Sequence, residues 1–232
     1  MALKVNSVFM TGVNSALKTA FYPSYSFSKA KFGPSDTLKV PHEDDYSAKQ
    51  RGKIHDKFVD KLIGNAKWNM PHTSMLMNQL VTYLVEHRLT PIASQYPVYD
   101  GETRMGTKVD LVCKTVDGKY VLFENKVGYE SCLHRHTGKQ MLAPFEHMND
   151  SPMNQMHLYL AFSVYLFKKQ YPSRVVDESQ CAILRASPNG FDVFVMKQDL
   201  RVGEAMEKLG TLKDLHKRDR QRLNRNARRR KT

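Results

Sequence analysis

Two runs of alternating apolar and polar residues, 107–115 and 119–127, stand on either side of Val116-Asp117-Gly118, and no other stretch limits the fold as tightly. Alternation with a period of two marks half-buried strands, and a short turn-prone spacer between them marks a hairpin. The chain is therefore expected to carry an antiparallel pair at its centre. Loop length then decides which side chains meet. A three-residue loop with Gly118 in the left-handed conformation pairs Thr115 with Lys119 and sets Asp110 opposite Glu124. Lys126, two residues further on, points to the same face as Glu124. A two-residue loop sets Asp110 against Asn125 instead and puts the two acids on opposite sides of the sheet.

Elements of another period flank this hairpin. Ile54, Phe58, Val59, Leu62 and Ile63 recur at three and four within 47–65, closed by Gly64-Asn65. Leu76, Leu80, Tyr83, Leu84 and His87 repeat the pattern within 74–88, before Pro91. Both read as amphipathic helices. A strand is expected over 92–99, a core helix over 153–169 that is apolar on most sides, and a second hairpin over 180–186 and 191–196. A last helix is expected over 199–216. Residues 128–152, with Gly138 and Pro144, read as loop-rich, and the first 45 residues, broken by Tyr22-Pro23-Ser24 and Phe32-Gly33-Pro34-Ser35, read as an irregular arm. At 232 residues one α/β domain is expected rather than two. The organisation read here is an arm over 1–45, a domain over 46–211 built on a central mixed sheet flanked by helices, and a basic tail over 212–232.

Charge narrows the partners. From Lys213 to Thr232 ten Lys and Arg stand against two Asp, a net +8 of the formal +13. A cationic surplus of this kind favours a polyanion, because each neutralised phosphate releases counterions. Nucleic acid is the expected partner. The tail has few large apolar residues after Leu223, so it lacks the face that an interfacial helix inserts, and no run is long and apolar enough to span a bilayer. No membrane partner is expected. Three cysteines, Cys113, Cys132 and Cys181, at long spacings form neither a disulfide framework nor a four-thiolate cluster. An intracellular, reducing setting and no iron–sulfur cluster are expected, with a phage or virus, mitochondrial and nuclear origin all compatible. Residues 1–35 lack acids, as organelle transit peptides do, but also lack arginine. No Gly-x-x-x-x-Gly-Lys-Ser/Thr loop occurs, so no nucleotide cofactor or motor is expected; a replication or recombination partner could supply one.

Two carboxylates and a lysine suit phosphodiester hydrolysis. Hard oxygen ligands hold Mg²⁺ or Mn²⁺, and an ammonium beside them orients water or offsets charge on the phosphate. The same residues also suit an ordinary surface ion pair, and the spacing Asp-x13-Glu-x-Lys alone separates the two readings poorly. Four segments in order carry more weight: Arg51-Gly52-Lys53-Ile54-His55, Gly106-Thr107-Lys108-Val109-Asp110-Leu111-Val112, Phe123-Glu124-Asn125-Lys126 and Gln155-Met156-His157-Leu158-Tyr159.

Together these segments resemble the motifs of the PD-(D/E)xK nuclease superfamily, and within it the RecB-like exonuclease group that includes Cas4-type and mitochondrial genome maintenance exonucleases. The resemblance implies a restriction-endonuclease-like core and a metal-dependent DNase, an exonuclease acting on single-stranded or end-containing DNA. It implies Asp110, Glu124 and Lys126 as catalytic residues; His55, Asp110, Glu124 and the Asn125 carbonyl as ligands of Mg²⁺ or Mn²⁺; and Gln155 and Tyr159 as residues that steady the site and the strand. Arg51, and Arg135 and Lys139 just beyond the catalytic strand, are expected to contact phosphate. Gln95 stands where many relatives carry a further acid, leaving Glu86, Asp100 or Glu102 to supply it, or a single metal to suffice. Two other functions compete. One is an RNA endonuclease of the same superfamily, of the cap-snatching type; the other is a non-catalytic nucleic-acid-binding protein that works through its tail.

Overall fold

The computed structural model describes residues 3–5, 8–22, 48–70, 74–127, 138–187, 190–198 and 200–210. Its central hairpin is β4 (Met105–Lys114) and β5 (Tyr120–Val127). Pairing runs from Lys114↔Tyr120 to Leu111↔Phe123, and Thr115 N donates to Lys119 O at 2.9 Å. Gly118 takes a φ of +85°, the left-handed turn that a side chain resists. The three-residue loop is thus the one adopted. Carried one step further, its register sets Asp110 against Glu124.

Around this pair the chain builds an α/β fold on a mixed sheet. β1 (Leu3–Val5) pairs antiparallel with β2 (Val8–Gly12), and β2 lies parallel to the start of β4, Thr11↔Met105 and Gly12↔Gly106. β3 (Thr90–Asp100) covers the other edge of β4 along its whole length, from Asp100↔Met105 to Thr90↔Lys114. On the far side β5 runs parallel to β6 (Ala182–Ser187), which closes antiparallel on β7 (Gly190–Val195). One consequence positions the site. β2 and β5 share one edge of β4, each at its own end, so residues 107–110 on that edge have no ladder partner among the described residues.

Helices cover the sheet because their apolar stripes must be buried. α4 (Pro152–Gln170) starts where Ser151 Oγ accepts Asn154 N–H at 3.3 Å with Pro152 behind it, a start signal in both residues, and buries Leu158, Phe162, Leu166 and Phe167 against β3 to β6. Each such fully buried side chain contributes on the order of 2 kcal/mol. α2 (Ala48–Leu62) packs on β3 and β5, and α3 (Met75–Glu86) on β6 and β7. Residues 202–210 form a fifth helix with Val202, Ala205 and Met206 buried. Among the described residues no helix is long and apolar enough to cross a membrane.

The irregular arm needs correction over its first half. Residues 3–5 and 8–12 form the antiparallel pair β1–β2, and α1 (Val13–Ala20) follows at once. Val13, Leu17, Phe21 and Tyr22 enter the core, so this segment belongs to the domain rather than to an appendage. Residues 23–47 lie outside the described residues, as do the basic tail and Cys132; Cys113 and Cys181 are free and buried.

Candidate active site

Where the β4–β5 ladder stops, side chains take over the pairing. Asn125 N–H donates at 2.9 Å to Asp110 Oδ2 instead of to a main-chain carbonyl of β4. Asp110 Oδ1 accepts Gln95 Nε2–H from β3 at 3.0 Å. Both oxygens of one acid are therefore held, each by a different strand.

Lys126 completes the cluster. Its ammonium contacts Glu124 Oε1, donates to the Asn125 carbonyl at 3.2 Å and lies 4.0 Å from Asp110 Oδ2. The site is largely dry, with Glu124 only 7% exposed. Burial first, then the charge of Asp110, push Glu124 up to about 8, while Lys126 pulls the other way. A buried acid beside another acid holds its proton more tightly, and a nearby cation relieves it.

This arrangement also tests whether a divalent cation fits. Three oxygens expected as its ligands, from Asp110, Glu124 and the Asn125 carbonyl, already gather around the positive charge of Lys126. All are hard donors of the kind that Mg²⁺ and Mn²⁺ take. The fourth expected ligand, His55, comes from α2 and is 6% exposed, and its Nε2 has no hydrogen-bond partner among the described residues. Burial holds its ring down to about 4, with Asp110 pulling up and Lys126 pushing down, so the imidazole is neutral and able to donate a lone pair. As the side chains stand, no three His, Cys, Asp or Glu among the described residues converge on one point. The oxygen donors fit a cation; His55 lies within their field without joining them.

The other expected residues divide. Tyr159 reaches the open stretch of β4: its hydroxyl contacts Thr107 Oγ1 and donates to the Lys108 carbonyl at 3.3 Å. Burial, followed by the charge of Glu124, raises this phenol far above its ordinary value, which keeps it a neutral donor. Gln155, one helical turn away, turns elsewhere. Its Nε2 donates at 2.7 Å to Asp150 Oδ1, and its main-chain carbonyl accepts the Tyr22 hydroxyl at 3.3 Å, so this residue fastens the 138–151 loop and the end of α1 to α4. Lys139 sits exposed in that loop, its carbonyl accepting Asp150 N–H at 2.8 Å. Arg135 and the Arg51 side chain lie outside the described residues. No substitute acid arrives from the expected places: Asp100 and Glu102 both hold Lys169, and Glu86 lines a groove between α3 and β7.

No family model and no curated protein matches the chain. What the chain does must be argued from the site itself.

Sequence reasoning missed the contributions of Thr107, Asp150 and Asp56. Asp56 follows His55 on α2, and burial, then the charge of Asp110, raise its carboxyl above the usual range. A second acid immediately after the candidate histidine was a signal in plain sight. Asp150, fully buried, had none, because its partner Gln155 is fixed only by how the loop folds back.

Proposed function

We propose that the protein is a metal-dependent nuclease that cleaves phosphodiester bonds in DNA, an exonuclease of the RecB-like kind with a restriction-endonuclease-like core. One observation carries the reading: Asp110 and Glu124, far apart in number, meet beside Lys126 where one edge of β4, over residues 107–110, has no ladder partner among the described residues. Asp110, Glu124 and the Asn125 carbonyl would hold Mg²⁺ or Mn²⁺, with His55 drawn in from α2. A bound divalent ion supplies Lewis-acid stabilisation of the phosphate and a water that deprotonates near neutral pH.

Each side chain then has its own task. Asp110 is held from two strands, so its carboxylate keeps one direction. Lys126 offers a positive charge that is mostly shielded from solvent, suited to orienting a water or offsetting charge on the phosphate. Tyr159 closes the open edge of β4 with a neutral hydroxyl. The cationic surplus of the chain draws the polyanion in.

Incubation of labelled single-stranded DNA, duplex DNA and RNA with the protein and Mn²⁺ tests the reading, with Lys126→Ala as comparator. Cleavage of DNA by the wild type, lost by at least about a hundredfold in the variant while binding persists, is the result expected. RNA cleavage alone would move the reading to an endoribonuclease. Equal behaviour of both proteins would leave a binding protein and overturn the enzymatic reading.

A further inference from the structure

Three non-glycine residues among those described have a positive φ: Arg88 at +52°, Arg104 at +51° and Gln95 at +45°. Arg88 and Arg104 sit in turns, at the end of α3 and between β3 and β4, where a left-handed residue is commonplace. Gln95 does not. It lies inside β3, with regular pairing on either side of it, Ser94↔Leu111 and Tyr96↔Val109. That register sets Gln95 directly across from Asp110, and its amide is the group that holds Asp110 Oδ1.

A side chain at left-handed φ disfavours the fold locally by roughly 1–2 kcal/mol. The register is the same before and after it, and the one register shift in β3 lies earlier, between Pro91 and Ala93. The cost falls at the residue that faces the candidate metal ligand, and the side chain so placed reaches that ligand. Strain kept at one position and spent on one contact is characteristic of functional sites.

From this geometry we infer that Gln95 is a positioning residue, which uses a strained backbone to fix the carboxylate of Asp110 for cation binding. The inference rests on the nuclease reading and adds to it. Asn125 N–H secures Oδ2 from β5 and Gln95 secures Oδ1 from β3, so the carboxyl plane is pinned between two strands and only the remaining lone pairs are free. The neutral amide does this without adding a third acid to Asp110 and Glu124. What the sequence offers as a missing acid is thereby a donor with a task of its own.

Two variants separate positioning from mere structure. Gln95→Gly removes the amide and relieves the φ, so the fold is held or gained; Gln95→Met keeps length and strain but removes the donor. Mn²⁺ affinity by titration calorimetry and melting temperature are measured for both, for the wild type and for Asp110→Asn. Outer-shell partners of metal ligands are worth about ten- to a hundredfold in affinity. Both Gln95 variants are expected to bind Mn²⁺ at least about tenfold more weakly although the Gly variant melts no lower than the wild type. Affinities within about twofold of the wild type in both, with binding lost in Asp110→Asn, would overturn the positioning role and leave the nuclease reading standing. Binding unaffected by Asp110→Asn, or absent from the wild type, would overturn both.

Discussion

The β4–β5 hairpin carries a carboxylate–lysine pair at each end, and the two behave in opposite ways. At the turn, Lys119 meets Asp117 at 2.9 Å with side chains 44% and 60% exposed. At the open end, Lys126 meets Glu124 with side chains 21% and 10% exposed. Hydrogen bonds from Thr115 and Lys119 hold the Asp117 carboxyl below its ordinary range; burial and a second acid drive Glu124 above its own. The residues are alike in kind, and solvent makes the difference. An exposed pair is screened and adds little to the fold, whereas a buried pair is costly to maintain and costly to break.

The sharpest way to break this comparison is to remove each lysine. Lys126→Ala strands two acids in a dry site and is expected to lower stability by about 4 kcal/mol, read as a drop in the urea midpoint. Lys119→Ala, the counterpart at the turn, is expected to leave the midpoint where it was. Equal shifts for the two would mean that burial does not distinguish them.

The same rule extends to a buried group away from the site. His157 on α4 is 5% exposed, and burial, with the charge of Lys197 second, brings it down to about 4. His55 is lowered to about 4 as well. The unfolded chain takes up protons at these imidazoles near pH 6.5, before the folded one does, so their stabilising effect is complete above that pH and is lost as pH falls toward 4. For His157 the loss amounts to about 2 kcal/mol between pH 6.5 and 5. His157→Phe should flatten the stability profile by that amount, and an unchanged slope would sink the idea.

A smaller effect tests the hairpin itself. Gly118→Ala places a methyl group 3.8 Å from Lys114 Cε, an ordinary contact, so what opposes it is the left-handed φ. A loss of about 1 kcal/mol is expected, with Mn²⁺ affinity preserved if the register survives. Weaker Mn²⁺ binding in this variant would mean that the turn alone, and not the strands around it, keeps Asp110 and Glu124 in step.

How much of this was legible beforehand follows from the range of the forces involved. The encounter of Asp110 with Glu124 depends on the conformation of three residues, Val116 to Gly118, and turn chemistry is local; the sequence therefore reduced it to two registers, and the pairing of Thr115 with Lys119 decided between them. The helices α2, α3 and α4 were legible to within a few residues because a buried stripe must repeat every three or four positions. Residues 3–5 and 8–20 were not, since strands of three and five residues and a helix of eight are too short for periodicity to register, and Val13 and Leu17 are explained only by the core they enter.

By itself, then, the sequence determined the central hairpin and narrowed its register to two, one of which brings Asp110 to Glu124; the structure chose that one. Tertiary structure alone decided that β2 and β5 would share an edge of β4 and leave residues 107–110 on that edge without a ladder partner among the described residues, that Gln95 would face Asp110, and that Gln155 would turn to Asp150. The reason is physical. Pairing between strands joined by a turn is set by bonds along the chain, while parallel pairing, burial and the field around a carboxyl group are set by whatever distant segments pack there, and no local pattern of residues encodes that company.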